Sequence, residues 1–160
     1  MKLQTVWMRR LLNINKNIAV ETKDKYILQV KSKTENLSLI RDFMKEIGLK
    51  EAIAAEITDK LVLAVDEACT NIIKHAYHLK NDKDIILKVD VNGQKVVVTI
   101  TDFGDGFDPD TVPDPDMPTY MRQIRVGGLG LHLMRALMDK VEYQTIPNNY
   151  NRLVLQKNYN

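Results

Sequence analysis

The sequence predicts an α+β fold, a two-layer sandwich in which helices cover one face of a mixed or antiparallel sheet. Three observations carry this. Asp84 to Val91 and Lys95 to Thr101 alternate in polarity on either side of Asn92-Gly93, a pair that suits the positive φ angles of a type I′ hairpin turn. Upstream, two long stretches repeat apolar residues every three or four positions, the period of a helix with one buried side. Near the C-terminus, VEYQTI and RLVLQK supply a second pair of short alternating segments.

Taken in order, residues 1–24 show no clear period and are set apart as an extension, leaving 25–160 as one domain. YILQVK, from Tyr26, reads as a strand, and Ser32-Lys33-Thr34-Glu35 has the capping-box spacing that opens a helix. Leu37, Ile40, Met44 and Ile47 form that helix's stripe, widened by Leu39 and Phe43, and Gly48 stops it. Glu51 to about Tyr77 is the longest helical pattern and contains no Gly or Pro. After the first hairpin, Asp102 to Arg125 holds four of the 5 prolines, which breaks regular structure and predicts a long loop. Leu131, Met134, Leu137 and Met138 then mark a last helix before the closing strands.

Composition excludes several classes. At 160 residues the chain is too short for a eukaryotic-type protein kinase, a TIM barrel or a two-domain dehydrogenase, each of which needs on the order of 250 residues. Lys and Arg total 23 against 21 Asp and Glu, a balance that lacks the footprint of a dedicated nucleic-acid binder. Cys69, the 1 cysteine, has no partner for a disulfide or a thiolate zinc cage, which fits a reducing, cytoplasmic setting. Asn13, Asn15, Lys16 and Asn17 interrupt the N-terminal stretch before a signal-peptide core forms, and no 18-residue apolar run suggests a membrane span.

Chemistry concentrates in three segments. In Leu61 to Tyr77, the residues Leu61, Val65, Ala68, Ile72 and Ala76 make one apolar stripe, while Leu63, Glu67, Asn71 and His75 fall at four-residue intervals on another. A carboxylate one turn from a carboxamide can accept a proton while the amide oxygen holds Mg²⁺; a plain solvated edge has the same pattern. The second segment, Asp102-Phe-Gly-Asp-Gly-Phe-Asp108, puts a carboxylate at a strand end beside glycines that let a flat ligand approach the backbone. Its literal D-F-G lacks the lysine and H-R-D motifs of a protein kinase, and its spacing fails as an EF-hand. The third, Arg125-Val-Gly-Gly-Leu-Gly-Leu131, runs into a helix, so backbone N–H groups and the helix dipole converge on one point where an anion is favoured. It is neither a P-loop nor a dinucleotide fingerprint. His75 and His78, three apart on the helical pattern, have no metal-site context, and Cys69 reads as core filling.

The order E-A-C-T-N, D-F-G-D-G, G-G-L-G-L is far more specific than any one segment. Over about residues 26–157 the sequence resembles the GHKL ATP-binding superfamily of gyrase-type ATPases, heat-shock chaperones and histidine kinases. Within it, the sequence is most similar to the small bacterial anti-sigma-factor serine/threonine kinases. The resemblance implies that Glu67 is the general base, Asn71 the Mg²⁺ ligand and Asp102 the carboxylate that receives the adenine amino group. It places Gly104, Gly106, Gly127, Gly128, Leu129 and Gly130 around the nucleotide and its lid, with Lys74, His75 and Arg125 toward the phosphates. Arg41 occupies a place similar to an arginine that contacts the sigma factor in such kinases.

The activity implied by the resemblance is that of an ATP- and Mg²⁺-dependent kinase that phosphorylates a small STAS-domain anti-anti-sigma protein, binds a sigma factor and forms a homodimer. An alternative is a nucleotide-gated switch of the same fold that holds a partner with little catalysis; the presence of Glu67 favours the kinase, since a pure switch has no use for a base.

Overall fold

In the computed structural model the described residues are 18–22, 25–106 and 129–159, with side chains described over 25–106 and 130–159. Six strands form one sheet in the order β1-β2-β3-β4-β6-β5: β1 Ile18–Thr22, β2 Lys25–Lys31, β3 Asp84–Val91, β4 Lys95–Asp102, β5 Lys140–Ile146 and β6 Tyr150–Asn158. All five pairings are antiparallel, which settles the mixed-or-antiparallel choice. The helices are α1 Asn36–Lys50, α2 Ala55–Asn71 and α3 Leu129–Leu137, and α2 continues into a π-helical turn, Ile72–Ala76. Strand β1 lies within the stretch set apart as an extension and pairs with β2 along its whole length, Ile18 opposite Gln29 and Thr22 opposite Lys25.

Alternation decides which residues face the helices. Tyr26, Leu28 and Val30 of β2, Ile85, Leu87, Val89 and Val91 of β3, and Val96, Val98 and Ile100 of β4 are buried, while their neighbours are only half-buried. On the other side of the core, α1 contributes Ile40, Phe43, Met44 and Ile47, α2 contributes Leu61, Val65, Ala68 and Cys69, and α3 contributes Leu131 and Met134. Full burial of a Leu, Ile or Val side chain contributes ~1.5–3 kcal/mol, so this packed inner face is the rigid platform for the groups at the strand ends.

Four local expectations are corrected. Glu35 stands at the α1 N-cap with no side-chain cap bond, and Ser32 is no capping residue. Ser32 is buried, donates its hydroxyl to Lys80 O at 2.5 Å and accepts from Lys83 N at 3.1 Å, while Asn36 Nδ2 bonds Lys31 O at 2.8 Å at the helix entry. Gly48 does not stop α1, which runs on to Lys50; a Cβ at Gly48 would lie 2.4 Å from Thr58 Oγ1, so the glycine is there to let α1 approach α2. The helix expected from Glu51 begins only at Ala55, after a turn in which Ala52 has φ 53°, and it is α-helical to Asn71 before the π turn. In the first hairpin only Gly93 has positive φ, so the turn is not type I′; Asn92 Oδ1 accepts from Gln94 N and Lys95 N instead, folding the turn around its side chain. The second hairpin turns at Pro147-Asn148-Asn149, with Asn148 at φ 59°. No helix among the described residues is long and apolar enough to cross a membrane.

Candidate functional site

The parity that buries Val96, Val98 and Ile100 carries on to the next inward position of β4, which is Asp102. A carboxylate is thereby aimed at the helix layer, only 3% exposed. The neighbouring strand does the same: Leu155, Leu153 and then Asn151 face inward on β6, and Asn151 is the direct register partner of Asp102. Asn151 Nδ2 donates to Asp102 Oδ1 at 2.9 Å and to Gly104 O at 2.9 Å, and Gly104 N donates to the same Oδ1 at 2.9 Å. Burial pushes the Asp102 carboxyl above the usual carboxylate range, opposed by the Asn151 amide and the Gly104 N–H.

The π turn at the end of α2 shapes the opposite wall. Tyr77 N reaches back five residues to Ile72 O at 2.9 Å, and the widened turn leaves Ala76 O to accept Asp105 N at 3.0 Å. Tyr77 OH donates to Asp84 O and accepts Phe103 N at 2.8 Å, so one phenol joins the start of β3 to the loop after β4. Burial pushes that phenol up to about 12, which keeps it a neutral donor. A Cβ at Gly104 would lie 2.4 Å from Ala76 O, so only glycine fits between the loop and the helix end. Gly106 packs as closely, 2.8 Å from both Asn151 Oδ1 and Thr145 Oγ1 by the same measure.

Between these walls lies a cavity of about 290 Å³ that brings together Asn71 and His75 from one stretch of sequence and Asp102 and Gly106 from another. Ile72, Leu131 and Met134 are part of its apolar lining, and Asp105 adds a second carboxylate at one side. An apolar cavity with one buried carboxylate suits a purine ring bearing an amino group. Glu67 shares one face of α2 with the cavity residue Asn71, and Gly130 at the start of α3 is packed against both.

His75 lies in the π turn, past the point where the four-residue spacing of Glu67 and Asn71 ends, yet it still reaches the cavity. Lys74 is exposed and outside the lining. His78 is not on a helix with His75: it stands beyond the π turn at φ 51°, with Nε2 2.7 Å from Asp105 Oδ2. Arg41 Nη1 donates to Asp66 Oδ1 at 2.7 Å, tying α1 to α2 one residue before Glu67. Cys69 is fully buried and burial pushes its thiol up, which makes it core filling. Arg125, Gly127 and Gly128 lie outside the described residues, as does most of the predicted loop from Asp102 to Arg125; Leu129 is described only as the first residue of α3.

Residues 30–157, four-fifths of the chain, match the family described as the histidine kinase-like ATPase domain. The chain belongs to that family. Among curated proteins, the serine-protein kinase RsbW of Listeria monocytogenes serovar 1/2a is 34% identical over 123 residues, covering 74% of this chain and 78% of that protein. RsbW of Bacillus subtilis is 31% identical over 121 residues, 73% of this chain and 76% of its own length. Of solved structures, a chain of the SiaB–SiaC complex from Pseudomonas aeruginosa shares the fold, with a TM-score of 0.60 at 14% identity over 96% of this chain and 97% of that one. The two-layer α+β expectation and the family resemblance are thus both borne out.

Sequence reading of this histidine kinase-like ATPase missed two residues of the site, Asn151 and Tyr77. For Asn151 the signal was present: in NRLVLQK the inward positions are Leu155, Leu153 and Asn151, and a polar residue at core parity in a closing strand marks a group with a buried partner. Tyr77 was missed because a phenol that ends a helical pattern gives no hint in sequence of the loop it will bind.

Proposed function

We propose that this chain is an ATP-dependent serine/threonine protein kinase acting as an anti-sigma factor, which binds a sigma factor and phosphorylates a small STAS-domain anti-anti-sigma protein in the cytoplasm, working as a homodimer. Membership of the histidine kinase-like ATPase family and the identity to RsbW serine-protein kinases over three-quarters of the chain support ATP use and kinase chemistry. The observation that carries the site reading is that a buried carboxylate, Asp102, lines the same apolar cavity as Asn71, with Glu67 one helical turn before Asn71.

Each residue then has a task that its position allows. Asp102 accepts a hydrogen bond from the exocyclic amino group of adenine, which the glycines at 104 and 106 let close to the backbone. Asn71 on the cavity wall offers an amide oxygen, a hard neutral donor that suits Mg²⁺, an ion that typically takes one or two protein oxygens and completes its shell with phosphate and water. Asn71 Oδ1 would hold the ion, which would supply charge neutralisation on the phosphates. Glu67 takes the proton of the acceptor hydroxyl as its oxygen bonds to the γ-phosphorus and the bond from that phosphorus to the β–γ bridging oxygen breaks, releasing ADP. Gly130 holds the start of α3 against Glu67 and Asn71, and the positive end of the α3 dipole favours the phosphates there.

The test is transfer of γ-labelled phosphate from Mg·ATP to proteins of the host extract, comparing the native chain with Glu67→Ala. A small protein labelled on serine or threonine by the native chain alone is the expected result. ATP-dependent stabilisation with no labelled protein would overturn the kinase reading and leave a nucleotide-gated switch.

A further inference from the structure

We infer that Asn151 is a positioning residue that sets the base specificity of the cavity, making it select a heterocycle that presents an exocyclic amino group over one that presents a carbonyl at the same place. The inference rests on the reading of Asp102 as the base-recognition group and adds the device that keeps this carboxylate an acceptor.

The hydrogen-bond pattern fixes the amide. Both partners of Asn151 Nδ2, a carboxylate oxygen and a main-chain carbonyl, only accept, so the nitrogen must be the atom facing them and both of its hydrogens are used. On Asp102 the two donors, Asn151 Nδ2 and Gly104 N, converge on Oδ1, and no described group donates to Oδ2. The carboxylate is therefore held in one orientation, with one oxygen occupied and the other available on the cavity that Asp102 lines.

The same contacts set the charge state. Without donors, an aspartate this buried would take up a proton and become able to donate to a carbonyl as well as to accept. Two donors to Oδ1 stabilise the ionised form, which accepts only. A ligand with N–H at that point gains a charge-assisted bond, and one with a carbonyl meets unpaired oxygen against oxygen. Of the other groups around Asp102, Cys69 and Tyr77 of the helix wall are pushed up by burial and stay neutral. His75 and Asp105 share the cavity, so His75 is replaced in parallel to isolate the effect of Asp102.

The experiment measures binding of ATP and ITP, which differ in the amino group against the carbonyl, by calorimetry from acidic to mildly alkaline pH. It compares the native chain with Asn151→Ser and Asn151→Asp, each also in a His75→Gln background, and with Asp102→Asn. The native chain is expected to prefer ATP, and Asn151→Ser to lower the ATP:ITP ratio by about tenfold to a hundredfold, the range for losing a hydrogen bond to a charged group. That loss is expected to be greatest at the acidic end and to persist in the His75→Gln background. Asn151→Asp, nearly isosteric, puts two carboxylates in contact so that they share a proton, and is expected to raise ITP affinity. A merely structural residue would lower both affinities together and leave the ratio and its pH profile unchanged. Native discrimination retained by both Asn151 variants, with Asp102→Asn losing ATP, would overturn the inference and leave the site reading intact. Binding of neither nucleotide to the native chain would overturn the site reading itself.

Discussion

Gly130 stands so close to Glu67 that a Cβ at this position would lie 2.4 Å from Glu67 Oε1 and 2.9 Å from Asn71 Nδ2. The first turn of α3 is thus in contact with the proposed base and the proposed metal ligand at once, through a residue with no side chain. Gly130→Ala should push the Glu67 carboxylate and the Asn71 amide out of their places, a shift that these flexible side chains can make, while alanine adds about 1 kcal/mol of helix propensity. The expected result is a nearly unchanged melting temperature and a fall in phosphoryl transfer that exceeds any loss of ATP affinity, because Gly130 is packed against Glu67 and Asn71 and not against Asp102. Single-turnover transfer and nucleotide titration on the same preparation separate the two effects. Equal losses in both would mean that the helices had moved together and that Gly130 has no specific bearing on Glu67.

Glu67 can also be tested alone. Glu67→Gln keeps the shape of the side chain and removes its ability to take a proton, so ATP-dependent stabilisation should persist while transfer falls by about 10²–10⁴-fold, the usual worth of a general base. Stabilisation is read from the rise in melting temperature with ATP concentration, and transfer from labelled phosphate on the acceptor. A normal transfer rate in Glu67→Gln would remove the residue from the chemistry.

Much of this site was legible because period and face are properties of sequence. Glu67 and Asn71 share a helix face by their spacing alone, and Asp102 ends a strand whose alternation points it inward. What sequence does not display is partnership across the fold. Ser32 and Glu35 satisfy the capping-box spacing, yet Ser32 is used by Lys80 and Lys83, some fifty residues away. Gly48 reads as a helix stop because glycine is enriched there, but its lack of a Cβ is needed sideways, against Thr58. The π turn at Ile72–Ala76 is likewise tied to tertiary contact: Ala76 O bonds Asp105 N, which belongs to a loop encoded much later. In each case local propensity allowed the expected role and a distant group claimed the residue for another.

The Gly48–Thr58 contact is itself testable. Gly48→Ala improves helix propensity by about 1 kcal/mol in isolation, yet its Cβ would lie 2.6 Å from Thr58 Cγ2 and 3.1 Å from Thr58 Cβ, atoms of a stiff, buried side chain. The clash should prevail, giving net destabilisation of about 1–3 kcal/mol. Thr58→Ala in the same chain should recover most of it, and denaturant unfolding of the four combinations yields the coupling directly. Additive effects would show that α1 and α2 are free to separate and that the close approach is not required.

Asp102 is where stability and binding pull apart. Its carboxyl is pushed up by burial, so the folded state binds the proton more tightly than the unfolded chain does. Such a group destabilises the fold fully above its raised folded-state value, and the penalty fades as pH falls toward the ordinary aspartate value. Asp102→Asn removes the charge while its amide oxygen can still accept from Asn151 and Gly104. The nucleotide-free variant should therefore melt higher than the native chain at neutral pH, by about 2–4 °C for each kcal/mol relieved, and the advantage should shrink steadily on acidification. The same substitution turns the atom facing the cavity from acceptor to donor, so the rise in melting temperature caused by ATP should vanish. Melting curves with and without ATP across that pH range test both halves. A variant that melts lower than the native chain at every pH would mean that the two donors more than offset the burial of the charge. Undiminished ATP stabilisation would take Asp102 out of base recognition.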